Sequence, residues 1–200
     1  MTQTQIISLA LGALLIFWAV GAYNRLVRLT NPIANAFGQI DVQLRRRYDL
    51  VAKLVQACKK YLSHERDTIE AVISARNQAK AASDAARSRP ASAQAVVTLA
   101  TAEQALTSSL GGLFAFNEAY PELQADQTIR ELSQALTGID NQVTFARQAF
   151  NDAVLDYNRA RGQFPAVLIA TTFRFEPAAM WQATESADER TELPIQMSER

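Results

Sequence analysis

The chain has 200 residues, and its 20 acidic and 20 basic side chains balance, so its net charge gives no bias toward nucleic acid. Seven glycines and six prolines are few for a protein with many tight turns, and this composition favours long helices over a β-sandwich or barrel. One cysteine and one histidine exclude an internal disulfide and a zinc site built on those ligands.

The N-terminal region contains an apolar segment, residues 6–23, without a charged side chain. At a rise of about 1.5 Å per residue, a helix of this length spans about 27 Å, close to the thickness of the hydrocarbon core of a bilayer. Trp18 and Tyr23 lie toward its C-terminal end, where aromatic rings favour the membrane interface. The segment therefore predicts a transmembrane helix within an anchor region, residues 1–30, that contacts the lipid bilayer directly.

Basic residues lie on the C-terminal side of this segment, because Arg25 and Arg28 follow it whereas residues 1–5 contain none. The positive-inside rule then predicts a single-pass membrane protein with its bulk in the cytoplasm. A signal peptide cleaved before Tyr23 is the alternative, but the length of the apolar run and the lack of a preceding basic region favour a retained anchor. Ser8 and Gly12 form a small-xxx-small pair through which two such helices could pack into a homo-oligomer.

A long amphipathic helix is predicted after the anchor, over residues 32–62, because its apolar residues recur every three or four positions. We expect a kink or short break at Asn31-Pro32, since proline removes a backbone donor and restricts the residue before it. The predicted buried stripe comprises Ile33, Phe37, Ile40, Leu44, Tyr48, Val51, Val55, Cys58 and Leu62.

The end of this helix has two interpretations. The apolar phase continues through Ile69 and Val72 to Ala79, which favours one continuous helix. Ser63 is a suitable N-cap, which favours a break and a second helix. In either case, residues 88–90 are predicted to form the turn that follows.

Two further helices are predicted from their apolar stripes, the first ending near Phe116 and the second running from the N-cap Asp126 to about Gln163. Gly111 and Gly112 weaken the first helix, and we expect them to permit close approach of a neighbouring helix rather than to bind a ligand. The predicted buried positions are Val96, Leu99, Ala102, Leu106, Leu110, Leu113 and Phe116, followed by Ile129, Leu132, Leu136, Ile139, Val143, Ala146, Phe150, Val154, Tyr157 and Phe164.

The C-terminal region begins with an apolar segment, residues 166–175, that is too short to span a bilayer. We expect it to cover the end of the helical bundle, and an amphipathic contact with the membrane surface is the alternative. Residues 183–200 are acidic, polar and low in apolar content, which is typical of disorder. The predicted organisation is an anchor at 1–30, a bundle at 31–175 and a disordered tail at 176–200.

Catalytic, cofactor-binding and metal-binding residues are not predicted anywhere in the chain. A di-iron bundle site needs two histidines, and the chain has one. Cys58 lies on the buried stripe and is expected to be inert, whereas His64 is expected to be exposed or to cap a helix. A hydrolase that uses Cys58 and His64 remains an alternative, although no motif of a known hydrolase class supports it.

The arginine run, residues 45–47, is the densest cluster of charge. We expect it to lie on a solvated helix face, with Asp41 and Asp49 as partners one turn away. The alternative is contact with lipid headgroups. That contact requires the chain to fold back at Pro32, because a straight helix carries the run about 30 Å beyond Tyr23.

The last long helix is rich in polar residues, which we expect to pair with Asp41 and with Arg46 or Arg47 across the bundle. Such pairs fix helix register while adding little net stability, and this interpretation is favoured over a ligand pocket. The residues concerned are Asp140, Asn141, Arg147, Asn151, Asp152, Asp156, Tyr157, Asn158 and Arg161.

Several ordered motifs resemble those of LemA family proteins. They are residues 23–27, Asn31-Pro32, residues 39–50, Tyr61 with His64-Glu65, residues 119–123, residues 146–154, Tyr157-Asn158 and Phe164-Pro165. Two positions depart from the family pattern: Ala52 replaces a proline, which implies a straighter helix, and Arg174 replaces a glycine before Phe175. The resemblance implies a membrane anchor and an antiparallel helical bundle on the cytoplasmic side, without an established enzymatic activity.

The predicted protein is therefore all-α, with an N-terminal transmembrane helix followed by an antiparallel bundle of three or four long helical segments. We expect it to be a scaffold or adaptor for a protein partner and not an enzyme. The alternative is a lipid-binding protein that uses the basic run and residues 166–175.

Overall fold

A computed structural model describes residues 2–62, 65–116 and 120–182. Within these residues the chain forms six helices and no strand, which confirms the all-α prediction. The helices are α1 (Gln3–Cys58), α2 (Arg66–Ser88), α3 (Ala93–Ala115), α4 (Pro121–Ala125), α5 (Gln127–Gly162) and α6 (Ala166–Thr172).

Helix α1 has 56 residues and continues through Pro32, so the predicted break at Asn31-Pro32 is wrong. Proline removes one intrahelical hydrogen bond, to the carbonyl of Arg28, while continuation of the helix buries Ile33 and Phe37 in the core. The predicted stripe is confirmed, because all nine of its residues from Ile33 to Leu62 are buried.

The first helix ends and a separate helix follows it, which decides between the two interpretations of this region. Helix α1 ends at Cys58 and α2 begins at Arg66, with Glu65 as the residue before it. Ile69, Val72 and Ala79 are buried in spite of the break, because α2 folds back and presents them to the core. The proposed N-cap Ser63 lies outside the described residues.

The bundle is built from three closely packed helix pairs, which are α1 with α5, α2 with α3, and α1 with α2. Helices α1 and α5 are antiparallel along their whole shared length. Their successive contacts are Leu26 with Ala160, Phe37 with Phe150, Arg47 with Asp140, and Tyr61 with Asp126. The main core lies where the four long helices α1, α2, α3 and α5 meet. Toward the N-terminal segment, α1 and α5 continue as a packed pair.

The predicted start of α5 is confirmed, since the carboxylate of Asp126 accepts a hydrogen bond from the backbone N–H of Ile129 at 3.1 Å. Lys60 and Tyr61 donate to the same carboxylate at 2.7 and 2.8 Å and hold the pKa of Asp126 well below its usual range. The end of α1 is thereby tied to the start of α5.

Most of the predicted stripes of α3 and α5 are buried, with two corrections. Phe164 lies beyond the end of α5 and is exposed. Gly111 and Gly112 are also exposed, and a Cβ atom added at either would meet nothing within 4 Å. The predicted close helix approach at these glycines is therefore wrong.

The apolar segment after α5 packs on the end of the bundle, as expected. It forms α6, in which Ala170 is buried against Leu26 and Ala160. Arg174, at the position where the family pattern has glycine, adopts a positive φ of 54°, a conformation that favours glycine. Arg174 therefore holds a backbone conformation in which glycine is the usual residue.

The ordered bundle extends past the predicted boundary at residue 175. Residues 176–182 run back along α5 in an irregular path, and Ala178 and Trp181 join the main core. We call residues 175–182 the strap. The predicted disordered tail is thus wrong over 176–182, and its remainder, 183–200, lies outside the described residues.

Candidate functional site

Arg47 is the centre of a buried polar cluster at the junction of α1, α3 and α5. Its guanidinium donates to the carboxylate of Glu103 and, at 3.0 Å, to the hydroxyl of Thr107. The side chains of Arg47 and Glu103 are only 7% and 8% exposed. The expectation that the whole arginine run is solvated is therefore wrong for Arg47.

Asp140 supplies the second carboxylate of this cluster, which bears out the predicted pairing between the last helix and the arginine run. Its Oδ1 lies 3.0 Å from Nε of Arg47, although this ion pair lacks the alignment of a hydrogen bond. Burial raises the pKa of Asp140 even though the charges of Arg47 and Arg147 lower it. Burial lowers the pKa of Arg147, and the like charge of Arg47 lowers it further.

Tyr48 connects the same cluster to α2. Its hydroxyl lies within hydrogen-bonding distance of the Glu103 carboxylate and of the Ala79 carbonyl, the latter at 3.1 Å. The one hydroxyl proton can serve only one acceptor at a time. Burial and then the charge of Glu103 raise the pKa of Tyr48, so the phenol stays protonated.

A second ion cluster joins α1 to α2. Arg45 donates to Asp41 at 3.0 Å, one helical turn away, as predicted. Asp41 also accepts from Ser83 at 3.2 Å and lies 3.8 Å from Arg87. Arg46 is exposed. The run thus divides into one solvated side chain, one surface ion pair and one buried cation.

The headgroup alternative for this run required the chain to fold back at Pro32. Helix α1 is continuous there, so Arg45 lies about 30 Å along the helix from Tyr23. That distance is several Debye lengths at physiological ionic strength. The run is therefore too far from the apolar segment to contact the same membrane surface.

A groove separates α3 from α5 on the surface above Arg47, and we call it the α3–α5 groove. It consists of two adjoining recesses of about 290 and 390 Å³ that share Arg47, Thr107 and Asp140. Gln104 and Gly111 line the α3 wall, while Thr137 and Thr144 line the opposite wall. Its walls combine small and polar side chains with larger apolar ones such as Leu110, Phe114 and Leu136, and its floor contains the buried ion cluster.

The strap closes one end of the groove. The Trp181 ring lies 5.8 Å from the guanidinium of Arg147 in a cation–π contact. Trp181 is itself held by Asn151, whose amide accepts from the Trp181 N–H at 2.8 Å and donates to its carbonyl at 3.0 Å.

Asn158 holds the strap in the same way two turns further along α5. It accepts from the N–H of Ala178 at 3.0 Å and donates to its carbonyl at 2.8 Å. Tyr157 donates to the carbonyl of Glu176 at 2.9 Å, and Arg161 donates to that of Phe175 at 2.6 Å. Four of the polar residues predicted to pair between helices therefore bind backbone instead, whereas Asn141, Asp152 and Asp156 are exposed.

Only Cys58 of the predicted Cys58–His64 pair lies within the described residues. Cys58 is 1% exposed, and burial raises the pKa of its thiol to about 11. His64 lies outside the described residues. Among the residues that the structure describes, none form a group of three or more histidine, cysteine or acidic side chains that could hold a metal ion.

Sequence reasoning did not identify Glu103 or the strap. Glu103 lies four residues after Leu99 and three before Leu106, so helical spacing alone places it on the buried face. Asn151 and Asn158 are seven residues apart, which puts both amides on one face of α5. That spacing is the available signal for a segment bound along the helix.

The fold and its polar junction define a class of helical-bundle protein with one helix suited to crossing a membrane. Helix α1 contains an 18-residue window with a mean hydropathy of 2.2, and none of that window is buried in the molecule. The sequence model of the LemA family matches residues 36–196, most of the chain, and the chain belongs to the LemA family. A comparison with curated proteins found no match.

Proposed function

We propose that this protein is a membrane-anchored scaffold or adaptor that binds a protein partner and has no catalytic activity. The N-terminal part of α1 spans the bacterial inner membrane once, and the bundle lies in the cytoplasm. The position of Arg25 and Arg28 after the apolar segment supports this orientation. A homo-oligomer formed through Ser8 and Gly12 stays a prediction.

The observation that carries the proposal is the continuity of α1. One helix supplies both the exposed apolar segment and the central stripe of the bundle, without a linker between them. A flexible tether would let the bundle tumble, whereas a continuous helix fixes its distance from the membrane. A protein built this way is suited to present a binding surface at a defined height.

The α3–α5 groove is the proposed partner site, and a helix of the partner is the proposed occupant. The lining residues of α3 extend from Ala100 to Phe114, about 20 Å along the helix, which matches about four turns of a bound helix. Small side chains on the walls permit close packing. Asp140 and Arg147 line the groove and supply opposite charges that would select the register of the partner.

Site-specific photo-crosslinking in intact membranes tests this proposal. We place benzoylphenylalanine at the exposed groove positions Gln104 and Thr144, and at Gln78 on α2 as a matched exposed control. The proposal predicts the same discrete protein adduct from both groove positions, with none from Gln78. Adducts that are equally frequent at Gln78, or absent at both groove positions, would contradict it.

A further inference from the structure

Three exposed apolar side chains lie at the end of the bundle nearest the N-terminal segment. They are Phe164, Leu168 and Phe173, with exposed fractions of 81%, 56% and 57%, and we call them the α6 collar. Phe164 follows the C-terminal end of α5, close to where Ala160 packs on Leu26. Leu168 lies on α6, and Phe173 immediately follows it. All three therefore belong to the membrane-proximal end.

The collar is continuous with the apolar segment of α1. The rings of Phe173 and Tyr23 meet edge to face with centroids 5.1 Å apart, and Phe175 contacts Tyr23 at 5.4 Å. Phe173 also lines an apolar recess with Ile16 and Val20. Since Ile16 precedes Tyr23 by seven residues, or about 10 Å of helix, Phe173 reaches back along the apolar segment rather than away from it.

Charged side chains follow directly after the collar and the apolar segment of α1. Arg25 and Arg28 are exposed on α1, and Arg174 is exposed directly after Phe173, with Glu176 as the nearby acidic residue. Arg174 keeps a positive φ of 54°, which an L-amino acid other than glycine disfavours. A cluster of apolar side chains next to a layer of arginines matches the change from acyl chains to phosphates at a bilayer surface.

We propose that the α6 collar inserts into the boundary between acyl chains and headgroups of the bilayer that α1 spans. The inference rests on the proposed membrane insertion of α1 and adds a second contact with the same lipid. One helix alone leaves the tilt and rotation of the bundle free. The collar fixes tilt and rotation, because it gives the bundle a second contact with the membrane beside α1, on the side of α6. It therefore sets the direction in which the α3–α5 groove faces.

Spin labels on the full chain test the collar. In a Cys58→Ala background, single cysteines replace Phe164, Leu168 or Phe173, and the protein is reconstituted into phosphatidylcholine vesicles with or without phosphatidylglycerol. Leu14→Cys reports insertion of α1, since Leu14 is exposed within the apolar segment. Phe145→Cys is the matched control, because Phe145 is 78% exposed but lies about 25 Å along α5 from Gly162.

The proposal predicts that labels at 164, 168 and 173 collide more often with oxygen than with a water-soluble nickel complex, in both vesicle types, and that the label at 145 shows the reverse. A bilayer signal at 14 with water-like signals at all three collar positions would overturn the collar and leave the anchor intact. A water-like signal at 14 would overturn both. Spin–spin broadening with low access to both reagents would assign the collar to a second copy of the chain and would also overturn the proposal.

The label at position 168 is the least disruptive of the three, because Leu168 is 56% exposed and its replacement removes no aromatic contact. Replacement of Phe173, in contrast, removes its contact with Tyr23. Helicity measured by circular dichroism checks each labelled protein. A benzoylphenylalanine at position 168 provides a second measurement: crosslinking to lipid supports the collar, and crosslinking to protein alone contradicts it.

Discussion

Arg47 shows how a charged residue can belong to the interior of a helical bundle. Its side chain reaches the core from the edge of the α1 stripe, beside Tyr48, and is neutralised there by Glu103 and Asp140. Taking an ion pair out of water costs several kcal/mol per ion, which the mutual attraction of the charges offsets only when the geometry is good. The cluster therefore fixes how α1, α3 and α5 are aligned more than it adds to net stability.

This account predicts unequal effects of single and double substitutions at the cluster. Arg47→Met leaves the Glu103 carboxylate buried without a counter-ion and should lower the free energy of unfolding by about 3–5 kcal/mol. Arg47→Met with Glu103→Leu removes both charges and should recover most of that loss. Chemical denaturation in detergent, followed by circular dichroism, measures both.

Arg46→Met is the matched control, because Arg46 is the exposed neighbour in the same run. Its effect should stay within about 0.5 kcal/mol. If Arg47→Met and Arg46→Met were equally mild, the burial of Arg47 would be refuted.

Cys58 should be unreactive in the folded protein. Its pKa is raised to about 11, so at pH 8 the folded state holds about one hundredth of the thiolate of an unfolded chain with pKa near 9. Alkylation by iodoacetamide should therefore be at least about 100-fold slower when folded, and steric exclusion should slow it further. Equal rates for native and urea-unfolded protein would contradict the burial.

The same shift has a defined sign for stability. Folding favours the neutral thiol, so the contribution of Cys58 is fully present below the unfolded pKa near 9 and is lost as the pH rises toward about 11. A Cys58→Ala variant lacks this term, and its stability should fall less steeply than that of the unsubstituted chain over that range.

At the scale of the elements, α3 contains two glycines that nothing in the described structure requires. Gly111→Ala and Gly112→Ala each add a methyl group into open space and reduce the entropy that the chain loses on folding. Each should raise the free energy of unfolding by about 0.5–1 kcal/mol in chemical denaturation. A loss of stability would instead show the close helix approach that the sequence had predicted.

The strap is a second element whose attachment depends on few residues. Asn158→Ala removes both hydrogen bonds to Ala178 and should release the strap locally, at a loss of about 1–3 kcal/mol. Hydrogen exchange should accelerate at the amides of Ala178 and Trp181. Asn141→Ala is the control, since Asn141 is exposed on the same helix. Unchanged exchange in the Asn158 variant would contradict the role of that amide.

The spacing of apolar residues was sufficient to predict most of the helices, because the residues that recur every three or four positions are the ones that become buried. The nine apolar residues from Ile33 to Leu62 repeat without interruption, and every one is in the core. Asp126 carried a local signal too, because a capping carboxylate acts on a backbone N–H only three residues away. Predictions of this kind depend on residues that are close together in the chain, so the sequence alone is enough to make them.

The remaining features depend on residues that are distant in the chain. The burial of Arg47 requires Glu103, 56 positions away, and the strap requires asparagines 20 to 30 positions before it. The α3–α5 groove arises between helices that are not closely packed partners. Helical spacing puts Glu103 on the buried face of α3 and the two asparagines on one face of α5, but it does not show which distant residue each of them contacts.

At the scale of the whole molecule, α1 joins an apolar segment that is long enough to cross a membrane to the stripe that packs the bundle. Its first part presents exposed apolar side chains, and its second part supplies the buried stripe at the centre of the bundle. Because the helix does not break at Pro32, movement of one part is transmitted to the other. The proposed scaffold role depends on the apolar part remaining attached and inserted.

Protease protection in sealed inverted membrane vesicles, whose cytoplasmic face is outside, tests that role most directly. The account predicts that the full-length chain resists extraction by carbonate, and that added protease removes the bundle while leaving a protected fragment that contains residues 6–23. A mature chain that begins near Tyr23 and washes free of the membrane, or a bundle that is protected until detergent is added, would contradict it.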